Sequence, residues 1–199
     1  MYRLIKRFFD IISSVIVVLL LFPFLLIIAC LIIFNSKGGA FYKQKRIGIN
    51  QKPFFLLKFR SMRTTNVAGA EITIGNDPRI TRIGAFIRRY KIDELPQLIN
   101  IIKGDMSVVG PRPEVQQYVN LYSDEQLKVL KVKPGLTDYA SLKYFNEQEI
   151  LGKAEDPHQA YVEMMMPKKL NLNLKYISEI SFKTDFIIIC KTILRIVKK

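Results

Sequence analysis

A long apolar run constrains this chain more than any other feature of its sequence. Residues 11–34 carry no charge, and only Ser13, Ser14 and Pro23 interrupt their apolar character. A segment of that length and composition is long enough to cross the hydrocarbon core of a bilayer. We therefore predict a membrane helix within residues 1–36 and a separate, membrane-associated folded domain over residues 37–199.

Positive charge on both sides of this run bears on its topology. Basic residues precede it at Arg3, Lys6 and Arg7 and follow it at Lys37, Lys43, Lys45 and Arg46. Because translocated ends are normally depleted of Lys and Arg, both ends are expected on the cytoplasmic face. Pro23 lies near the middle and removes one helical hydrogen bond, so we expect a bend there. A re-entrant helix satisfies both observations, while a kinked spanning helix stays open because the charge bias is not absolute.

The net charge indicates an anionic partner. The chain has 31 Lys and Arg against 17 Asp and Glu, which gives +14 at neutral pH. Nucleic acid, anionic lipid headgroups and nucleotide-sugar phosphates all match that charge, and charge alone does not choose among them. The apolar segments favour a membrane setting over nucleic acid.

The rest of the chain predicts a helix-rich α/β fold. Residues 41–44 and 54–59 are typical of two strands of a hairpin, and the polar, glycine-bearing residues 64–77 of a loop. Residues 80–90 have the spacing of a basic amphipathic helix, lying either on the lipid surface or simply against the core. Residues 114–131 predict two short helices, with a capping box from Ser123 to Gln126. Residues 182–199 are too short and too charged to span a bilayer, so an interfacial helix is expected.

The stretch 88–113 holds the strongest candidates for chemistry. Its adjacent carboxylates, Asp93 and Glu94, open an amphipathic segment, so we expect both acids at the start of a helix that ends at Gly104. A helix start is positively polarised and can hold a phosphate beside a carboxylate. The plain alternative is that the pair only caps the helix.

A second candidate lies in the same stretch. Arg112 stands between Pro111 and Pro113 in a rigid turn that begins at Gly110. An arginine held in this way is suited to bidentate contact with phosphate.

These segments together resemble a known family. In order along the chain they are DPRITRIG (77–84), DELPQ (93–97), KGDMS (103–107) and VGPRP (109–113), with KFRSM (58–62) before them and PGLT (134–137) after them. The pattern is similar to the catalytic domain of bacterial monotopic phosphoglycosyl transferases, and it covers nearly the whole chain. Motifs of this length in this order are far more specific than one short motif.

The resemblance implies a reaction, its partners and a location. A UDP-sugar gives its sugar phosphate to the enzyme with loss of UMP, and undecaprenyl phosphate then takes it to start a polysaccharide or glycoconjugate. The location implied is the cytoplasmic face of the bacterial inner membrane, in contact with its lipids and with no nucleic acid. The formation of a homo-oligomer is left open.

The resemblance also implies site residues. Asp93 would be the nucleophile and Glu94 the neighbouring base or orienting acid, and Arg88 and Arg112 would neutralise phosphate charge together with a magnesium ion near Asp93. Further phosphate-binding residues expected on the same basis are Lys58, Arg60, Arg79 and Lys143. For Lys58 and Arg60 a solvated basic strand is an equal alternative.

Two positions depart from the family pattern. Phe22 stands before Pro23 where better-known relatives have a serine, and Phe145 stands where relatives often have an arginine that contacts donor phosphates. Lys143 is the substitute expected for that arginine.

Two other classes of protein share some of these features. A polytopic transferase that works without a covalent intermediate needs several membrane spans, and this chain has a single long apolar run. A non-enzymatic basic protein could bind anionic lipid or nucleic acid, but it would give the acid pair no purpose.

Overall fold

The computed structural model describes residues 2–63 and 77–198, and in these residues the predicted helix-rich α/β fold is confirmed. The helices are α1 (Tyr2–Asn35), α2 (Arg82–Arg89), α3 (Gln97–Lys103), α4 (Gln116–Val119), α5 (Tyr139–Lys143), α6 (Glu147–Leu151), α7 (Pro157–Ala160), α8 (Met166–Ser178) and α9 (Phe182–Val197). The strands are β1 (Phe41–Ile47), β2 (Pro53–Phe59), β3 (Ser107–Val109) and β4 (Gly135–Thr137). Apart from Asp77, the loop expected over 64–77 lies outside the described residues.

The two pairs of strands differ in how far apart their strands lie in the sequence. Strands β1 and β2 form the predicted antiparallel hairpin, with Phe41 opposite Phe59 and Ile47 opposite Pro53. Their connection is a 3₁₀ turn in which Asn50 and Gln51 have positive φ angles of 53° and 59°. Strands β3 and β4 are parallel and come from distant parts of the chain, so no local pattern predicts their pairing.

A close backbone contact joins β3 and β4 at the turn that carries Arg112. The amide N–H of Gly135 donates to the carbonyl of Pro111 at 2.9 Å, and that of Gly110 donates to Thr137 at 3.1 Å. A Cβ atom on Gly135 would lie 2.1 Å from the Gly110 nitrogen, so the two chains can approach this closely only without a side chain there. The contact fixes where the turn leaves the sheet.

Helix α1 packs along the folded domain on one side. Among the described residues it is the one helix that is long and apolar enough to cross a membrane, and Pro23 lies within it. Its N-terminal half packs Val17 and Val18 against α3 and β2, and its C-terminal half packs Ile28 and Ile32 against Phe59 and Ile87. Its other side exposes large apolar side chains, among them Leu4, Phe8, Leu19, Leu20, Phe22, Leu26, Ile27 and Phe34.

Both ends of α1 are hydrogen-bonded to the same domain. Near its start, Arg7 donates to the carbonyls of Ile101 and Ile102, at 2.5 and 2.9 Å, and Asp10 accepts the Ser107 hydroxyl at 2.6 Å. At its other end, the Arg60 guanidinium donates to the carbonyls of Ser36 and Lys37 at 2.7 and 2.8 Å. The helix is therefore part of the domain's structure as well as a candidate anchor.

The C-terminal half forms its own core and returns to α1. Helices α4 to α8 and the turns between them bury Tyr118, Val129, Leu151, Tyr161, Met165 and Leu170 together. The capping box is confirmed, because Ser123 and Gln126 each donate a backbone N–H to the other's side chain. Helix α9 buries Ile188 against Val109 and Tyr176, and its Asp185 accepts hydrogen bonds from Tyr2 and Lys6.

Replacing Gly135 by alanine tests the β3–β4 contact. Because the new methyl group would overlap the Gly110 backbone, we expect Gly135→Ala to lower the free energy of unfolding by about 1–3 kcal/mol or more, and to displace the Arg112 turn. Thermal unfolding of the purified protein in detergent measures the effect. Gly39→Ala is the matched control, since a Cβ there meets no atom within 4 Å. Equal stability of the two variants would contradict the packing described.

Candidate active site

The acid pair lies in a 3₁₀ turn before a helix, which corrects the prediction that both acids open the helix itself. The turn comprises Ile92–Glu94, and α3 begins only at Gln97. Pro96 is the physical reason, because it has no N–H to donate to the carbonyl of Ile92. That carbonyl instead accepts from Leu95 at 3.1 Å, which closes a tighter turn. The predicted end of the helix at Gly104 is confirmed by its left-handed φ of 102°.

Glu94 is clamped by two cations. Its carboxylate accepts both terminal nitrogens of Arg112, at 3.1 and 2.5 Å, and its Oε1 lies 3.5 Å from the Lys58 ammonium. Burial alone would raise the pKa of Glu94, but Arg112 and Lys58 hold it well below its usual range. Glu94 is therefore a fixed negative charge. The Arg112 fork that the sequence suggests for phosphate is directed at this carboxylate.

Asp93 has the opposite environment. Its side chain is 7% exposed, and its Oδ1 is buried without a hydrogen-bond partner in the described residues. Burial and then repulsion by Glu94 raise the pKa of Asp93 to about 6, against the pull of Lys58, Lys91 and Arg88. A buried carboxylate oxygen without a partner is costly unless a ligand contacts it. Asp93 is thus the member of the pair that is available to a ligand.

Arg88 faces Asp93 with most of its hydrogen-bonding capacity unused. It lies in the last turn of α2, and the one hydrogen bond that its guanidinium makes in the described part of the chain goes to the Ser61 hydroxyl at 3.4 Å. Burial lowers the pKa of Arg88, and the charge of Asp93 opposes that change. Gly84 sets the position of α2, because a Cβ there would lie 1.9 Å from the Ser61 carbonyl oxygen. Arg88 can therefore offer several N–H groups to an anion beside Asp93.

Three of the predicted basic residues make contacts elsewhere. The terminal nitrogens of Arg60 hold the end of α1, and Arg79 pairs with Asp77 at the edge of the loop before α2. Lys143 is exposed at the end of α5, 5.8 Å from the ring centre of Tyr144. The structure brings Lys58, Arg88 and Arg112 to the acids, and assigns no contact with the acids to these three.

Asp138 is a site residue that the sequence did not single out. It is fully buried, accepts the backbone N–H of Arg112 at 3.2 Å, and caps α5 by accepting the Ser141 N–H at 2.5 Å. An aspartate ahead of a short helix indicates a cap. Its second contact, across the chain to Arg112, has no local signal.

Lys91 and Phe145 form a second feature near the acids. Lys91 adopts the left-handed conformation, with φ 57°, two residues before Asp93. Its ammonium lies 5.2 Å from the centre of the Phe145 ring, and the Arg195 guanidinium of α9 lies 5.6 Å from the same centre. The position where relatives often have an arginine therefore carries a ring flanked by two cations.

The acidic side chains of the site can supply only part of the coordination shell of a magnesium ion. No group of three or more His, Cys, Asp or Glu side chains gathers within the described residues, and Glu94 is occupied by its cations. Asp93, whose Oδ1 has no hydrogen-bond partner in the described residues, is the carboxylate left for a metal. Magnesium often takes one or two carboxylates and completes its shell with substrate phosphates and water, so this single carboxylate fits an ion that arrives with a nucleotide.

Shortening the Arg112 fork tests the clamp. Arg112→Lys keeps the charge but cannot bind both oxygens of Glu94, so we expect a loss of about 1–3 kcal/mol in the free energy of unfolding and a large fall in activity. Chemical denaturation and a turnover assay measure the two effects. Arg89→Lys is a matched control, because Arg89 is an exposed residue of α2. Full activity of the Arg112 variant would show that the planar fork is not needed.

Comparison with known proteins gives a consistent result. A family profile described as "Bacterial sugar transferase" matches residues 1–199. The exopolysaccharide production protein PSS of Rhizobium leguminosarum bv. phaseoli is 39% identical over 97% of this chain and 95% of its own length. The UDP-glucose:undecaprenyl-phosphate glucose-1-phosphate transferase of Escherichia coli is 37% identical over 97% of this chain but 40% of its own length. A putative undecaprenyl-phosphate N-acetylgalactosaminyl 1-phosphate transferase of Bacillus subtilis is 46% identical over 62% of this chain and 70% of its own length.

Proposed function

This chain belongs to the bacterial sugar transferase family, and on that basis we propose that it transfers a sugar phosphate from a UDP-sugar to undecaprenyl phosphate with release of UMP. The names of two relatives support this choice of acceptor, and one of them names UDP-glucose as the donor. The product would be a polyprenyl diphosphosugar, the starting unit of a polysaccharide or glycoconjugate.

The environment of Asp93 carries the proposal. Its Oδ1 is buried without a partner, whereas the neighbouring carboxylate of Glu94 is held by Arg112 and Lys58. A nucleophile needs an oxygen that no strong donor occupies, so the arrangement favours Asp93 over Glu94 as the attacking group.

The reaction divides into two displacements at one phosphorus. In the first, an oxygen of Asp93 bonds to the β-phosphorus of the donor, and the bond from that phosphorus to the bridging oxygen breaks as UMP leaves. In the second, a phosphate oxygen of undecaprenyl phosphate bonds to the same phosphorus, and the carboxylate of Asp93 leaves. Each step forms one P–O bond and breaks one, and the enzyme is regenerated unchanged.

The surrounding cations supply what phosphoryl transfer needs most, which is neutralisation of charge. Arg88 faces Asp93 with unused donors, and Lys58 lies beside Glu94. A magnesium ion held by Asp93 and the donor phosphates would neutralise further charge on the nucleotide. Glu94, fixed by Arg112, would orient Asp93 and raise its basicity by repulsion.

Two alternatives are less favoured. A non-enzymatic, lipid-binding or nucleic-acid-binding role gives no purpose to a buried pair of carboxylates between fixed cations. A polytopic enzyme would need several spans, and α1 is the one candidate in the described part of the chain.

The contacts of α1 also favour a re-entrant topology on the cytoplasmic face. A straight helix of this length extends about 50 Å, far enough to put its ends on opposite sides of a bilayer. Yet Arg7 and Asp10 at one end, and the Arg60 contact at the other, bind the same domain. A domain of this kind stays on one side, so both ends of α1 would too. Helices α2 and α9, which expose Phe86, Tyr90 and Phe186, would lie in the interface.

Labelling of the enzyme tests the covalent step. With a UDP-sugar labelled in its β-phosphate and no lipid acceptor, the parent protein should retain label, and Asp93→Asn should retain none because it lacks the attacking charge. Glu94→Gln should turn over very slowly yet still acquire a trace of label, because its own role is to orient Asp93. Intact-protein mass spectrometry measures the adduct.

Two results would contradict the covalent assignment. One is label on Asp93→Asn, and the other is an unlabelled parent enzyme under conditions where it transfers sugar phosphate to lipid. Glu163→Gln is a suitable control for the loss of one carboxylate, since Glu163 is exposed and distant in sequence from the acids.

Cysteine labelling tests the topology. In a variant with Cys30 and Cys190 replaced by alanine, single cysteines at Leu4 and Lys37 should both react with a membrane-impermeant maleimide in inside-out vesicles and not in intact cells. Both positions are exposed, so they are accessible to the reagent unless lipid covers them. Reaction from opposite sides would refute the re-entrant helix and support a spanning one.

A further inference from the structure

Lys91 and Arg195 are two cations without a carboxylate partner in the described residues, and both lie against one aromatic ring. Their distances to the centre of the Phe145 ring are 5.2 and 5.6 Å, so the separation of the charges cannot exceed the sum of these. Lys91 directly precedes the turn that holds the acids, Phe145 lies between α5 and α6, and Arg195 is in the last turn of α9. Cations gathered in this way, neither of them in an ion pair with a described carboxylate, are suited to an anionic ligand.

This cluster lies beside the acid pair. Lys91 is two residues from Asp93, and its charge lowers the pKa of both Asp93 and Glu94. A phosphate bound by Lys91 and Arg195 would therefore be held close to the group that is proposed to carry the sugar phosphate.

Helix α9 links the cluster to the membrane helix. At its first residue, the Phe182 ring lies 4.8 Å from Tyr2 and 6.0 Å from Phe9 of α1, measured between ring centres. Its last turn carries Arg195 to Phe145. The side of α9 that packs on the domain includes Ile188 and Thr192. Its other side exposes an apolar stripe that consists of Phe182, Phe186, Ile187, Ile193, Leu194 and Val197.

We propose that Lys91 and Arg195 bind the phosphate of the polyprenyl acceptor while the exposed stripe of α9 holds its hydrocarbon chain. The proposal rests on the function proposed above. A lipid is favoured because α9 carries both Arg195 and an exposed apolar stripe, which begins at the Phe182 contact with the membrane helix and extends to the last turn that holds Arg195. A nucleotide donor is soluble in water and would gain nothing from the stripe.

Steady-state kinetics with the full chain in phosphatidylcholine nanodiscs tests the proposal. With a saturating UDP-sugar, Arg195→Gln should raise the KM for undecaprenyl phosphate about tenfold, because one charge-assisted contact to phosphate is lost. The KM for the UDP-sugar should not change. Lys191→Gln is the matched control, since it removes an equal charge from the exposed surface of the same helix and should leave both KM values unchanged.

Two further variants separate phosphate binding from chain binding and protect the test against misfolding. Leu194→Asn should raise the KM for undecaprenyl phosphate but not for the short-chain geranyl phosphate, whereas Arg195→Gln should raise both. Phe145→Leu keeps both charges but removes the ring that positions them, and should raise the KM for both lipids less strongly. If Arg195→Gln fails to fold, as judged by its melting temperature, Phe145→Leu and Leu194→Asn carry the test.

Other phosphate-bearing ligands of Lys91 and Arg195 would give different results in these assays. A rise in the KM for the UDP-sugar alone would assign the cations to the donor and overturn the proposal. A Lys191→Gln effect equal to that of Arg195→Gln would reduce the result to surface charge, and competition by phosphatidylglycerol at stoichiometric levels in the parent would assign the cations to bulk headgroups. A parent enzyme that transfers nothing to undecaprenyl phosphate would instead refute the function, whereas normal KM values in the variants would refute only this site.

Discussion

The site depends on the burial of two neighbouring carboxylates, since like charges at adjacent residues cannot both be removed from water without compensation. Arg112 and Lys58 compensate Glu94, and no group of the described residues hydrogen-bonds to the Oδ1 of Asp93. The compensation in turn depends on the position of the Arg112 turn. That turn is set by the backbone contact of Gly110 with Gly135, and by Asp138, which holds the Arg112 N–H and caps α5 with the same carboxylate. A shift of the backbone at β4 would therefore move Arg112, and Arg112 would move the carboxylate of Glu94.

Helix α1 and the site share structural elements. Arg7 satisfies carbonyls in the last turn of α3, the helix that follows the acid pair, and helix ends need such partners because their final carbonyls have none within the helix. Arg60 donates to the carbonyls of Ser36 and Lys37, directly after the end of α1, and to that of Ile32 in its last turn at 3.4 Å. It directly follows β2, the strand that carries Lys58. Each arginine joins one end of α1 to an element that positions the acids or their cation. The depth and direction of α1 in a membrane would thus bear on the geometry of the site.

Local patterns predicted part of the elements, and contacts between distant residues escaped prediction. The hairpin, α2, α9, the Ser123 capping box and the end of α3 at Gly104 each follow from residues a few positions apart. The position of the acid pair relative to α3 was mispredicted. The apolar spacing indicates a helix from Asp93 onward, but Pro96 has no N–H to donate, so the acids lie in a 3₁₀ turn before α3. Arg60 has the same charge whether it binds phosphate or the end of a helix, so only the position of α1 decides its role. The partner of Arg112 could not be foreseen for the same reason, since its rigid turn indicates a fixed guanidinium but not its target.

The clamp on Glu94 is better explained by its effect on Asp93 than by stability. A buried ion pair gains little net stability, because the cost of removing both charges from water offsets most of their attraction. What the clamp does achieve is a fixed negative charge beside Asp93. Burial, and after it that charge, raise the pKa of Asp93 to about 6. A carboxylate of that basicity is largely ionised at neutral pH yet more nucleophilic than an ordinary aspartate. It remains far less basic than an alkoxide, so it could still leave in the proposed attack by a lipid phosphate. A carboxylate tuned between these limits would suit both halves of the proposed double displacement, and a second free acid at Glu94 would compete for the same phosphorus.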